Sequence, residues 1–138
     1  MRKDEMSEAS PFGLLGGHRY MSLTTFRRSG ESVSTTVWFA LVEGRAYVFT
    51  NKNSGKVKRI RNNPRVVLTP SNVRGKPRSP GSIEAGARLM GKDEEEMPNR
   101  AIDQKYGWQY RLFNYVLGLP KNPPEHVFLE LRPGGDPG

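Results

Sequence analysis

The chain has 138 residues, a length that suits one domain and leaves little interior for both a core and a deep substrate cavity. It contains no cysteine, which excludes a disulfide scaffold, a thiolate metal site and a cysteine nucleophile. The formal net charge is +8, and a surface this basic attracts anionic partners, whether nucleic acid, lipid or small molecules.

Three strands are predicted in the first half of the chain. Residues 20–26 are rich in β-forming side chains and precede a turn in which Gly30 can adopt positive φ. The second strand is predicted over residues 33–42, and the third over residues 46–50. Alternate residues of the second strand form one predicted face, namely Val33, Thr35, Val37, Phe39 and Leu41. Strands joined by turns this short indicate an antiparallel meander.

A short helix is predicted after the third strand. Asn53 or Ser54 suits the N-cap position, and Pro64 ends the helix. Val57 and Ile60 lie three residues apart on one helical face, and most of the other positions are basic.

The second half adds three strands and two helical segments. Strands are predicted at residues 65–69, 82–90 and 126–131, and helical segments at residues 92–106 and 108–119. Six strands with one short helix after the third strand indicate a mainly β fold of the α+β class. The expected architecture is a Greek-key or meander barrel, and the alternative is an all-β sandwich. We expect a single domain over residues 1–138, with flexible ends at residues 1–15 and 133–138.

The junction between the third strand and the helix is the most informative segment. A helix N-terminus presents unpaired N–H groups and partial positive charge, which suit a phosphate. Thr50 and Ser54 add hydroxyls, Gly55 permits close backbone approach, and Lys56 adds a full charge. The other cations of the segment are Lys52, Lys58, Arg59 and Arg61. A solvated basic helix face would give the same pattern, so these residues alone favour neither interpretation.

Other kinds of site find little support. His18 and His126 have no carboxylate at metal-ligand spacing, so we expect no metal and place both at the surface or an interface. No serine has a histidine and an aspartate placed with it, so nucleophilic catalysis is not predicted. Tyr110 and Phe113 are three residues apart, which favours core packing; the alternative is a roof over a flat ring bound in a partner subunit.

The order of several segments resembles the pyridoxamine 5′-phosphate oxidase-like split β-barrel superfamily, and within it the deazaflavin-dependent oxidoreductase branch. The resemblance covers about residues 20 to 119. The matching segments are residues 23–26, 33–39, 47–50, 54–66, 84–89 and 105–108.

The resemblance implies a six-stranded antiparallel split β-barrel of the FMN-binding type, in a homodimer with two equivalent cofactor sites at the interface. It places the cofactor phosphate on Thr50, Ser54, Gly55 and Lys56. It places the tricyclic ring along the second strand, near Thr35, Thr36, Val37 and Trp38.

The activity implied by this resemblance is an F420-dependent oxidoreductase that transfers hydride between reduced deazaflavin and a small organic substrate. No catalytic residue is assigned, because the cofactor supplies most of the chemistry. The anionic tail of F420 needs cations, and the candidates are Lys52, Lys58, Arg59, Arg61, Arg74, Lys76 and Arg78. For the last three, an exposed mobile loop is the alternative.

Three other functions stay open: an FMN oxidase or reductase of the same fold, a non-catalytic cofactor binder, and a basic nucleic-acid-binding barrel. We do not favour nucleic acid, because aromatic residues are not interleaved with the basic run. No stretch approaches the roughly 18 apolar residues of a membrane span, and residues 1–10 are polar and charged. We therefore expect a cytoplasmic protein with no membrane partner.

Overall fold

The computed structural model describes residues 11–78, 80–121 and 125–134. The strands are β1 (Tyr20–Phe26), β2 (Ser32–Val37), β3 (Phe39–Val42), β4 (Arg45–Asn51), β5 (Arg65–Ser71), β6 (Ile83–Leu89) and β7 (His126–Pro133). The helices are α1 (Gly55–Asn62), α2 (Glu96–Tyr106) and α3 (Trp108–Leu117). The strands form one antiparallel sheet in the order β2-β1-β5-β6-β7-β4-β3. The predicted mainly β architecture, with helices before the last strand, is confirmed.

The strand predicted over residues 33–42 is two strands in the structure. β2 ends at Val37, β3 begins at Phe39, and Trp38 is the one residue between them. β2 pairs with β1, whereas β3 pairs with β4 at the other edge of the sheet. The chain therefore passes from one edge of the sheet to the other at Trp38, which closes the sheet into a split barrel. The predicted count of six strands is corrected to seven, and the predicted single face is broken, since Leu41 is exposed.

Alternate residues of the sheet supply two separate cores. In β4, Ala46 and Val48 belong to the barrel interior, whereas Tyr47 and Phe49 pack towards α2 and α3. The barrel interior also contains Met21, Leu23, Val37, Phe39, Val66, Leu68, Ala85, Ala87, Leu129 and Leu131. The second core contains Ala40, Met90, Ile102, Tyr106, Tyr110 and Phe128. The two helices before the last strand are thus held on the outer face of β3, β4 and β7.

The first described residues are part of the barrel. Pro11–Leu15 forms a 3₁₀ helix, and both Phe12 and Leu15 are buried in the barrel interior. The flexible end expected over residues 1–15 therefore does not extend to these two residues, because each fills space in the core. Residues 1–10 and 135–138 lie outside the described part of the chain, and Pro133 ends β7.

Helix α1 follows β4 and packs against β1 and β6. It begins after Ser54 and ends before Pro64, as predicted, and buries Val57 and Ile60. None of the helices in the described ranges is long and apolar enough to span a bilayer.

The junction between β2 and β3 at Trp38 is held by Tyr106 of α2. The Tyr106 hydroxyl accepts a hydrogen bond from the Phe39 N–H (3.0 Å) and donates to the Arg19 carbonyl (2.6 Å). The Trp38 ring stacks on the Tyr106 ring at 4.6 Å with an interplanar angle of 8°. One buried side chain therefore fixes both the first backbone N–H of β3 and the ring of Trp38.

Replacing Tyr106 by Phe should lower the free energy of unfolding by about 1–3 kcal/mol, because the Phe39 N–H and the Arg19 carbonyl lose a buried partner. Tyr20→Phe is the control, since the Tyr20 hydroxyl makes no hydrogen bond with a described residue, and it should change stability by less than about 0.5 kcal/mol. Urea unfolding followed by circular dichroism measures both. Equal stability of the two variants would show that the Tyr106 hydroxyl does not hold the junction between β2 and β3.

Candidate cofactor site

A pocket of about 370 Å³ opens between the end of β2, the end of β4, the start of α1 and the side of α3. Its lining residues are Thr36, Val37, Trp38, Phe49, Thr50, Asn51, Lys56, Phe113, Leu117 and His126. Five of the eleven residues predicted to bind the cofactor are among them: Thr36, Val37, Trp38, Thr50 and Lys56. The structure thus brings the predicted ring segment and the predicted phosphate segment to one cavity.

The first turn of α1 lacks the groups that normally satisfy a helix N-terminus. Ser54 is at the N-cap, yet its side chain makes no capping hydrogen bond. Its Oγ is buried and has no hydrogen-bond partner among the described residues. No acidic residue lies in the first turn. The partial positive charge of this helix end is therefore unmatched by the protein itself.

Two cations add to that positive charge. Burial, and then the charge of Arg59, lower the pKa of Lys56. Arg59 folds back over the start of the helix, where its Nη1 lies 2.7 Å from the position that a Cβ on Gly55 would occupy. The Arg59 Nε donates to the buried Thr25 Oγ1 (2.6 Å), which fixes the guanidinium there. Neither Lys56 nor Arg59 forms an ion pair with any described residue.

Cations placed at the positive end of a helix dipole destabilise the fold, and a bound anion would reverse that effect. The donors available to a phosphate here are the free amides of the first turn of α1 and the ammonium of Lys56, which lines the pocket. A side chain at residue 55 would displace the Arg59 guanidinium, which is the end of a flexible side chain.

Strand β2 also contains a buried hydroxyl oxygen that has no hydrogen-bond partner in the described part of the chain. Thr35 Oγ1 is buried without a hydrogen-bond partner among the described residues. Trp38 is fixed by its stack on Tyr106 and meets Phe113 at 5.5 Å between ring centroids. Phe113 is 41% exposed and lines the pocket of its own subunit, whereas Tyr110 is buried in the second core. The core-packing prediction therefore describes Tyr110 and not Phe113.

Six of the eleven predicted residues are not among the lining residues of the pocket: Thr35, Ser54, Gly55 and Arg59, whose positions are given above, and also Lys52 and Arg61. Lys52 pairs with Glu125 (Nζ to Oε2, 3.3 Å) on the surface. Arg61 is exposed on α1, one turn beyond the pocket residue Lys56. Their contribution to the site is limited to long-range positive charge.

Several pocket residues were not predicted, chiefly Phe49 and His126. The His126 ring stacks on the Phe49 ring at 4.5 Å and 11°, and Asn51 of β4 pairs with His126 of β7. Burial lowers the pKa of His126, with the charge of Glu95 partly opposing it. The pairing of β4 with β7 spans some 75 residues of sequence, and no local pattern indicates it.

The Phe49 and His126 rings also border a second pocket of about 400 Å³. Its other lining residues are Lys92, Glu95, Glu96, Asn99, Tyr110, Asn114 and Phe128. No group of three or more acidic or histidine side chains in the described ranges is placed to hold a metal ion.

Comparison with known proteins gives a family and a fold. A family model described as pyridoxamine 5′-phosphate oxidase matches residues 12–134. No curated protein sequence matches at a significant level.

Among solved structures, a protein of unknown function from Agrobacterium tumefaciens is 20% identical, with a TM-score of 0.64 over 88% of this chain and 51% of that one. This chain thus spans about half of that protein. A FAD-binding protein from Mesorhizobium loti is 14% identical, with a TM-score of 0.60 over 88% of this chain and 83% of that one. An F420 reductase is 19% identical, with a TM-score of 0.56 over 90% of this chain and 93% of that one.

These structural likenesses show a shared fold, whereas the family model covers most of the sequence itself. The chain therefore belongs to the pyridoxamine 5′-phosphate oxidase family.

Proposed function

We propose that the chain binds the deazaflavin coenzyme F420 and acts as an oxidoreductase on a small organic substrate. The observation that supports this most strongly is the unneutralised positive charge at the start of α1. There, Lys56 lines the pocket, Arg59 folds back over Gly55, and the Ser54 Oγ at the N-cap has no partner among the described residues. An anionic group bound at this helix end would offset the positive charge.

In this proposal the phosphate binds Ser54, the first amides of α1 and Lys56, and Thr50 lies beside it on β4. The ring lies against Val37 and Trp38, with Thr35 and Thr36 on the same strand. When bound, the deazaflavin supplies the hydride donor or acceptor. The protein orients the ring against Trp38, which cannot turn because it stacks on Tyr106.

The remaining pocket residues exclude water and offer one titratable group. Phe49, Phe113 and Leu117 form an apolar wall opposite β2. His126 lies at the edge of that wall, and its lowered pKa keeps the imidazole neutral at pH 7. A neutral imidazole in this position can accept or return a proton during substrate turnover.

F420 is favoured over FMN because of charge. Both carry the phosphate, but the lactyl-oligoglutamate tail of F420 is far more anionic, and the net charge of +8 favours such a ligand. The F420 reductase and the FAD-binding protein that share this fold are consistent with either ring. FMN binding is the alternative that the titrations below distinguish, and a non-catalytic cofactor carrier is distinguished by an assay for hydride transfer with reduced F420.

We further propose a homodimer formed through α3. Trp108, Leu112, Tyr115 and Val116 are between 52% and 70% exposed, and they recur at intervals of four, three and one residues on one side of the helix. Leu119 continues the stripe just beyond the helix and is 63% exposed. Such spacing suits a helix–helix seam, and a two-fold axis would cover the stripe on both subunits. Phe113 and Leu117 of the same helix line the cofactor pocket, so the seam would border it.

Replacing Lys56 by Ala should weaken F420 binding by about 1.5–3 kcal/mol, or roughly 10- to 150-fold, because a charged phosphate partner is lost. Lys58→Ala is the matched control, since Lys58 lies on the same helix but is exposed outside the pocket. Fluorescence titrations of the purified protein with F420, FMN and a short single-stranded oligonucleotide give the affinities. The affinity of the wild type for F420 should also fall as the pH rises through the lowered pKa of Lys56, because the ammonium loses its charge. Lys56→Ala should abolish this pH dependence.

Preferential binding of F420 that depends on Lys56 and not on Lys58 is the expected result. A preference for FMN would support the proposed site and change the proposed cofactor from F420 to FMN. Binding of the oligonucleotide alone would refute the oxidoreductase proposal.

Ser54→Ala should leave the unliganded protein as stable as the wild type, within about 0.5 kcal/mol, because this N-cap hydroxyl makes no capping bond. The same change should weaken F420 binding about tenfold or more, since a hydrogen bond to a charged group is lost. Thermal unfolding with and without F420 measures both effects. A loss of stability without a loss of affinity would make Ser54 an ordinary helix cap.

Leu112→Glu should convert the protein to a monomer, because it places a charge in the centre of the α3 stripe on both subunits. Val73→Glu is the control, as Val73 is 61% exposed in the turn after β5. Sedimentation velocity at equal concentrations distinguishes the two species. If Leu112→Glu is still a dimer, the interface lies elsewhere on the chain. If the wild type is a monomer, the proposed homodimer is wrong.

A further inference from the structure

The second pocket, of about 400 Å³, lies between the outer face of β4 and β7 and the helices α2 and α3. Aromatic rings form much of its wall. The Phe49 ring lies 5.4 Å from the Phe128 ring and 5.3 Å from the Tyr110 ring, centroid to centroid. A volume of this size is enough for a small organic molecule. The cofactor proposed above binds in the neighbouring pocket and leaves this space free.

Glu95 places a carboxylate in the second pocket. It lies half-buried at the N-cap position of α2, yet its side chain makes no capping hydrogen bond. The carboxylate forms no ion pair with a described residue, whereas that of Glu96 pairs with Arg100 (Oε1 to Nη2, 2.9 Å). Neither capping nor ion pairing therefore accounts for a charge whose partial burial is unfavourable.

The charge of Glu95 acts on two rings of the pocket wall. It opposes the lowering of the His126 pKa that burial causes. Burial raises the pKa of Tyr110, and the charges of Asp103 and Glu95 raise it further. The Tyr110 hydroxyl donates to Asn99 Oδ1 (2.5 Å) rather than to Glu95. A carboxylate beside aromatic faces is a combination that binds organic cations, because both attract positive charge.

The net charge of the pocket wall also favours a cation. Its charged residues are two carboxylates, Glu95 and Glu96, and one ammonium, Lys92, which gives −1 against the +8 of the whole chain. Lys92 is exposed, so water screens its charge more than that of the half-buried Glu95. A ligand in this pocket therefore meets a negative potential that comes mainly from Glu95.

The proposed homodimer leaves the second pocket accessible. Tyr110 and Asn114, which line it, are four residues apart on one face of α3, whereas the exposed apolar stripe lies on the opposite face. Glu96, Asn99 and Asn114 are exposed at the pocket rim. A ligand can thus enter from solvent on the side away from the stripe.

We propose that the second pocket binds a small ammonium-bearing organic cation, with its ammonium at Glu95 and its apolar part against Phe49 and Phe128. An anion would be repelled by Glu95, and a neutral aromatic molecule would leave the carboxylate without compensation. This site is separate from the cofactor pocket, and its occupancy does not require the cofactor. The two pockets share the stacked rings of Phe49 and His126, so the bound cation would lie beside the cofactor site.

A bound cation would also change a group of the cofactor pocket. The charge of Glu95 favours the protonated form of His126, and an ammonium at Glu95 removes that effect. Occupancy of the second pocket should therefore lower the pKa of His126 further and keep its imidazole neutral at lower pH. The other titratable groups that line the two pockets are Lys92, Glu96, Tyr110 and Lys56.

The test titrates phenethylamine into the purified chain at pH 7 without cofactor, using isothermal titration calorimetry. Its neutral and anionic analogues, 2-phenylethanol and phenylacetate, are titrated in parallel. The test variants are Glu95→Gln and Lys92→Gln. Asp93→Asn is the matched control, since Asp93 is an exposed acid in the same segment that does not line the pocket. Circular dichroism verifies that all variants are folded.

Phenethylamine should bind the wild type at least about 10-fold more tightly than either analogue, as expected for a charge-assisted hydrogen bond. Glu95→Gln should abolish this preference. Lys92→Gln should strengthen phenethylamine binding by about 2- to 5-fold, because a like charge is removed. Asp93→Asn should change it by less than about twofold.

Proton NMR of the imidazole rings gives a second readout. The titration of His126 should move to lower pH when phenethylamine is bound, whereas that of His18, which does not line the pocket, should stay the same. Neither measurement requires F420, so a failure of this site and a failure of the cofactor proposal are distinguishable.

Several results would overturn the inference. Equal affinity for the three probes, or no binding of phenethylamine, would show that the pocket does not select a cation. A preference that persists in Glu95→Gln would place the cation elsewhere. An equal loss in Asp93→Asn and Glu95→Gln would make the effect one of long-range charge. An unchanged titration of His126 with phenethylamine bound would refute the link between the two pockets.

Discussion

The change of strand partner at Trp38 is the constraint on which the rest of the structure depends. The chain pairs with β1 before this residue and with β4 after it. Because β1 and β4 lie towards opposite edges of the sheet, this change of partner closes the barrel around its core. Tyr106 holds the chain at this point by hydrogen bonds and by stacking, which links α2 to the barrel. Thr36, Val37 and Trp38, at the same point of the chain, line the pocket.

The second organising feature is charge that the protein does not neutralise. The fold pairs several of its surface arginines with carboxylates and surrounds the buried Glu130 with Arg45, Arg88 and Arg132. At the pocket it does the opposite, since Lys56 and Arg59 lie at the positive end of α1 without a carboxylate. These unpaired cations lower the free energy of unfolding of the ligand-free protein. The attraction between them and a bound anion adds to the affinity for that anion and restores the stability. This unneutralised charge is the main argument for a phosphate site at the pocket.

Local patterns in the sequence predicted most of the elements and half of the pocket. β1, α1, β5 and β7 are defined by alternation or helical period, and capping residues mark the start of α1. The division at Trp38 was not predicted, because Val33 to Leu41 alternates without a proline or glycine, and only the pairing of distant strands reveals the break. For the same reason Phe49 and His126 were not recognised as neighbours. The ion pair of Lys52 with Glu125 could not be predicted either, because it crosses 73 positions of sequence.

The measurement that tests the central claim most directly is a crystal structure of the chain with F420. We predict a phosphate oxygen within about 3 Å of Ser54 Oγ and of Lys56 Nζ, at the N-terminal end of α1. The deazaflavin ring should lie against Val37 and Trp38. A phosphate bound elsewhere, with Ser54 Oγ still buried and without a partner, would contradict the account.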